Sequence, residues 1–248
     1  MNKSSFKRFL SAASIVLGAV FLAAPLIAAQ TKTNVRKPEP PPVTADKPAG
    51  NENKTPADTT NYSYEFTQPE FMVRHILIQH DALGRGKISF QKKGVETEIE
   101  EPIELSTAAL GRILGAWTDL RFLESTESYQ SHLQYPHLGT MRLKMEREAL
   151  KRTAEFNWTN NKIASLLATE YRRVADQAVL VFDIALARES QPLNAPKLME
   201  EFELQLKRNG LSDPQQLLPL LREVSTDEHL PLIARNHALR LIKKLEKK

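Results

Sequence analysis

Apolar and polar positions change period several times along the chain, and the changes divide it into elements. Tyr62, Tyr64 and Phe66 alternate with polar residues, and after Pro69 the run from Phe71 to Ile78 is strand-like. A two-residue turn at Lys93-Gly94 predicts a hairpin that pairs Lys92 with Val95, Phe90 with Thr97, Ser89 with Glu98, Ile88 with Ile99 and Lys87 with Glu100. In that register Ile88, Phe90, Val95 and Ile99 share one face, while Lys87, Gln91, Glu96, Glu98 and Glu100 share the other. A second hairpin, with a loop from Arg147 to Leu150, pairs Leu143 with Ala154 and Met141 with Phe156. Its opposite face pairs Arg142 with Glu155 and Glu146 with Lys151, opposite charges in both cases.

Between the hairpins the period becomes helical. Ser106 is placed to cap a helix whose apolar residues are Leu110, Ile113, Leu114, Trp117 and Leu120. From Asn161 a helix is expected to run to about Arg188, with Thr159 or Asn160 as cap. Its second half, from Ala178 to Ala187, is apolar almost all round, so it is expected to be covered on more than one side. The exception is Asp183, for which an ion pair with another element is expected. Three shorter helices follow: one opening near Pro196 and ended by Gly210, one after Ser212-Asp213-Pro214, and one from about Glu228 to Leu245. The predicted fold class is α+β. An antiparallel β-sheet with a packed helix fills 62–160, and an all-helical unit packs on it over 161–248.

The N-terminal third reads differently. Residues 1–29 combine Lys3, Lys7 and Arg8 with the apolar run Ile15 to Ile27 and small residues before Gln30, the pattern of a cleaved export signal. The alternative is an uncleaved inner-membrane anchor over residues 10–29, which would be the chain's only contact with a membrane. Residues 30–61 hold Pro38, Pro40, Pro41, Pro42, Pro48 and Pro56 and no aromatic residue before Tyr62, a composition that predicts a disordered linker. The chain carries a net charge of +4, from 34 basic and 30 acidic residues. The three basic residues of the leader account for most of that excess, so the rest has no global field for a nucleic acid. The absence of cysteine excludes disulfides, thiolate chemistry and lipidated-cysteine anchoring.

Two resemblances add to this. Leu217-Leu218-Pro219-Leu220-Leu221, then Asp227, then Ala234-Arg235-Asn236-His237-Ala238 resemble a single HEAT-type helical hairpin, which implies stacked helices and protein binding. Residues 62–248 resemble an uncharacterised family of exported bacterial proteins. That resemblance runs through Gln79-His80-Asp81, Gly84-Arg85-Gly86-Lys87-Ile88, Phe122-Leu123, Gly139-Thr140 and Gln191-Pro192-Leu193. It implies an extracytoplasmic location, periplasmic or secreted, and carries over no activity.

Candidate chemistry is sparse. Asp81 to Ile88 has the glycine of a calcium loop but not its ligands, because Leu83, Arg85 and Lys92 occupy ligand positions; a glycine-aided turn is the reading. Glu96, Glu98, Glu100, Glu101 and Glu104 form an acidic run that the strand pattern mostly explains as solvated positions. His75 and His80 are expected on opposite faces of one strand. The long polar connection from Glu124 to His137 carries the candidate ligand-binding residues Glu127, Tyr129, His132, Tyr135 and His137. No catalytic residue is assigned, and no metal or cofactor is expected. The leading expectation is a non-catalytic module that binds another extracytoplasmic protein or a cell-envelope component. The alternative is an extracytoplasmic hydrolase or small-ligand-binding protein using the 124–137 loop.

Overall fold

The computed structural model of the protein describes residues 60–247. Tyr62, Tyr64 and Phe66 do alternate inward on a strand, β1 (Asn61–Thr67), which lies in the middle of a six-stranded sheet. The other strands are β2 (Val73–Asp81), β3 (Arg85–Lys92), β4 (Ile99–Glu104), β5 (Thr140–Arg147) and β6 (Leu150–Phe156). Their order is β4-β3-β2-β1-β5-β6 and every neighbouring pair is antiparallel. Asn61, taken from sequence as the end of the linker, is already in β1. The rest of the predicted leader and linker lies outside the described residues.

The β5–β6 register is the one expected, with Leu143 opposite Ala154, Arg142 opposite Glu155 and Glu146 opposite Lys151, although Arg147 and Leu150 also pair and shorten the turn to Glu148-Ala149. The β3–β4 register differs from expectation by two residues: Phe90 faces Ile99 and Ser89 faces Glu100. The turn is longer than Lys93-Gly94 because the Lys93 amide donates to the Met72 carbonyl at 2.8 Å, tying the loop to the start of β2. Val95 is therefore an exposed loop residue rather than a core one, and Glu96 and Glu98 also belong to the loop. A slip of two preserves which side chains point inward, so Ile88 and Phe90 are fully buried as the pattern requires.

Two helices complete the sheet's core. In α1 (Thr107–Asp119) the Ser106 hydroxyl accepts from the Ala109 amide, and Ile113, Ala116 and Trp117 face inward. In α2 (Lys162–Ser190) the cap is Asn161, not Thr159 or Asn160: its side-chain oxygen accepts from the amides of Ile163 and Ala164 at 3.0 Å. Thr159 instead receives the Asn161 amide. The opposite sheet face carries ion pairs, Arg142 with Glu65 and Glu155, and Lys87 with Glu100.

The first half of α2 packs on the sheet through Leu167, Tyr171 and Val174, and its second half enters another core through Leu180 and Ile184. That second core is closed by α3 (Ala195–Lys207), α4 (Leu218–Thr226) and α5 (Leu232–Leu245). The last helix starts later than Glu228 because residues 227–231 form a turn held by Asp227, whose carboxylate accepts from the His229 amide and from Arg188. Asp183 is paired with Lys92 of β3. Among the described residues no helix is long and apolar enough to cross a membrane.

Candidate functional site

The 124–137 connection is tied down at two places, which divide its candidate residues. Arg152 organises the first. It projects from β6 opposite Met145 on the inward side, and its guanidinium donates to the carbonyls of Phe122 and Glu127, both at 2.6 Å. It also stands over the rings of Phe122 and Tyr129 at 4.5 and 5.1 Å. Tyr129 is buried there, with its hydroxyl 3.2 Å from Arg152. The Glu127 carboxylate accepts from the Asn161 side chain at 3.0 Å.

At the second place, Tyr135 packs edge-on against Trp158 and His137. The His137 carbonyl accepts from Gln68 at 2.8 Å. His132 is exposed and joins neither group. The five residues thus fall into two pairs and one histidine that belongs to neither. Arg152, which sequence reasoning passed over, was signalled by its inward parity in a strand whose other inward residues are Ala154 and Phe156.

His75 and His80 separate as expected. On the outer face His75 lies between Glu65 and Glu98, at 3.1 and 3.3 Å. His80 is buried in a polar chain. Trp117 Nε1 donates to the Tyr171 hydroxyl, which donates to His80 Nε2, and His80 Nδ1 donates to the Asp81 carbonyl at 2.7 Å. Burial holds the His80 pKa below its usual value and pushes that of Tyr171 up. Asp81 itself makes a turn: its carboxylate accepts the amides of Leu83 and Arg85, and Gly84 supplies the positive φ of 79°.

A cavity of about 830 Å³ opens between the sheet and the first half of α2. The sheet wall is apolar: Tyr64, Phe66, Ile76, Met141 and Phe156 come from four strands. The helix wall is Ser165, Ala168, Thr169, Arg172 and Asp176, spaced along one face of α2. Small side chains there leave the helix standing off the large rings opposite, and the gap is the cavity. Phe71, Met72 and Trp158 lie at its margin, 43%, 75% and 43% exposed. Gly139 lies against Phe66. With φ of 86°, its Cα sits so close to Phe66 that an added Cβ would fall 2.6 Å from the ring.

Three charged residues line this space, and one of them, Glu70 at the margin, is paired with Lys93. Arg172 lies 3.9 Å from the Met141 sulfur and over the Phe66 ring at 6.0 Å, and has no carboxylate in an ion pair among the described residues. It also stands beside the Tyr64 hydroxyl, whose pKa burial pushes up to about 12 against the influence of that guanidinium. Asp176 has neither a hydrogen bond nor an ion pair among the described residues. Burial raises its pKa, and Arg208 and Arg172 act only from a distance to lower it.

A second, smaller cavity of about 240 Å³ lies between β4 and α2, where Glu101 points inward rather than to solvent. No group of three or more potential metal ligands occurs among the described residues. None of the five loop candidates lines either cavity. No known protein family and no curated protein matches the chain.

Proposed function

We propose that this protein is a non-catalytic binding module, delivered outside the cytoplasm by residues 1–29, that holds an amphipathic component of the cell envelope. The observation that carries the reading is the cavity beneath α2. Its volume of about 830 Å³ falls within the range of roughly 300–1,000 Å³ usual for small-molecule sites, which are mostly apolar with a few placed polar groups. Its wall has that character: aromatic and aliphatic side chains on the sheet, and Arg172 and Asp176 on the helix. An apolar chain against the rings would remove them from water, while a polar head would meet the charges.

The test is binding of a lauroyl-chain amphiphile, followed by displacement of an environment-sensitive fluorophore. Thr169 lies exposed on the helix wall, so Thr169→Trp fills the space without disturbing the core. The expected result is measurable binding by the unaltered protein and a loss of at least about tenfold in the variant, equivalent to about 1.4 kcal/mol. Equal binding by both proteins places the ligand elsewhere, and no binding by either rules out the reading.

A further inference from the structure

Arg172 and Asp176 lie on one wall of the cavity, four residues apart on α2, about 6 Å along the helix axis. A cation and an anion at that spacing usually satisfy each other or reach partners on neighbouring elements. Here Arg172 reaches only uncharged groups of the sheet, the Tyr64 hydroxyl, the Met141 sulfur and the Phe66 ring, and Asp176 reaches no partner among the described residues. No salt bridge joins the two. Other charges nearby are already engaged: Glu70 at the margin is paired with Lys93, Glu201 with Arg208, and Asp183 further along α2 with Lys92.

We infer that the cavity selects a zwitterionic amphiphile, an acyl chain ending in a phosphate and a primary ammonium, with the phosphate on Arg172 and the ammonium on Asp176. This rests on the reading above that the cavity holds an amphiphile at all. A guanidinium offers a planar fork of donors to phosphate oxygens, and a carboxylate accepts N–H bonds from an ammonium. A fatty acid or an anionic phosphate ester alone would satisfy Arg172 and leave a negative carboxylate facing a negative head. A quaternary ammonium has no N–H to give. Only a head carrying both charges, with a donor on the positive one, completes both side chains. Burial already disfavours the charged form of Asp176, and a counter-charge within the cavity would relieve that penalty.

The experiment compares three probes of one chain length on the full folded protein at neutral pH by calorimetry: lauroyl lysophosphatidylethanolamine, lysophosphatidylcholine and lysophosphatidylglycerol. The ethanolamine probe is expected to bind about tenfold tighter than the glycerol probe, the effect of one charge-assisted hydrogen bond, with the choline probe between them. Asp176→Asn should remove that preference, and Arg172→Gln should weaken all three. If the glycerol or choline probe binds as tightly as the ethanolamine probe to the unaltered protein, the inference is overturned while the amphiphile reading stands. If no lauroyl probe binds, both fall. The comparison among probes on the unaltered protein needs no variant to fold.

Discussion

Glu170 and Asp176 are six residues apart on the same helix, and their surroundings could hardly differ more. Glu170 is only 2% exposed at its side chain and fully engaged. Arg112 of α1 donates to it at 2.9 Å, and Arg173 donates at 2.7 Å from one turn on. Arg112 also donates to the Ser212 carbonyl, so one carboxylate joins α1, α2 and the segment before α4. Asp176 faces the cavity with nothing to accept from. A buried carboxylate that has its partners holds a fold together; a half-buried one without them has a cost that the fold alone does not justify. The difference separates the face of α2 that builds the protein from the face that is open to a ligand.

The largest effect expected from this contrast is at Glu170. Glu170→Gln keeps the shape but leaves two guanidinium groups without their counter-charge. Glu170 is buried but both arginines stay partly solvated, 40% and 25% exposed, so the loss is expected to be about 1–3 kcal/mol, seen as a lower midpoint in chemical denaturation at unchanged slope. A loss below about 1 kcal/mol would mean that the Arg112 and Arg173 contacts do not hold the helices together, and the contrast with Asp176 would disappear.

His80 belongs with Glu170 as a satisfied buried group, but its partners suit only the neutral ring: Nε2 accepts from Tyr171 and Nδ1 donates to Asp81. Its folded pKa lies below the unfolded value near 6.5 because of burial. Below that pH the unfolded chain takes up a proton that the folded chain resists, so stability should decline as pH falls from about 6.5, by at most about 1.4 kcal/mol per unit. Above that range the contribution is level. Thermal unfolding across the pH range should show this slope, and His80→Gln should flatten it. An unchanged slope in the variant would assign the pH response to other groups.

The two hairpins explain how much of this was legible. In β5–β6 the inward Met141, Leu143 and Phe156 and the outward charged pairs all demand one register, and that register is found. In β3–β4 the Lys93-Gly94 pair resembles a tight turn, but a slip of two costs the alternation nothing, so only the tertiary bond to Met72 decides. The same limit hid the cavity. Tyr64 and Phe66 were readable as inward strand residues, yet a void depends on what fails to fill it. It arises where Ser165, Ala168 and Thr169 of a helix meet rings from strands far apart in sequence. The 124–137 loop has the residue types of a polar site. Its two clusters depend on Arg152 and Gln68, whose roles emerge only once strands and loops are in contact.

The smallest effect on stability, and the sharpest use of the contrast, is at Asp176 itself. If its carboxylate is kept for a ligand, removing the charge should not weaken the empty protein. Asp176→Asn is expected to leave the denaturation midpoint at neutral pH unchanged or raise it by about 0.5 kcal/mol, because it deletes a half-buried charge with no partner to lose. The sign can be checked by pH. Burial places the folded pKa of Asp176 above its unfolded value, so the folded protein holds that proton more tightly and the native penalty fades as pH falls through the carboxylate range. Any advantage of the variant should therefore shrink as the pH is lowered. A loss of stability on the scale of the Glu170 variant would instead make Asp176 part of the framework. It would remove the reason for assigning it a ligand.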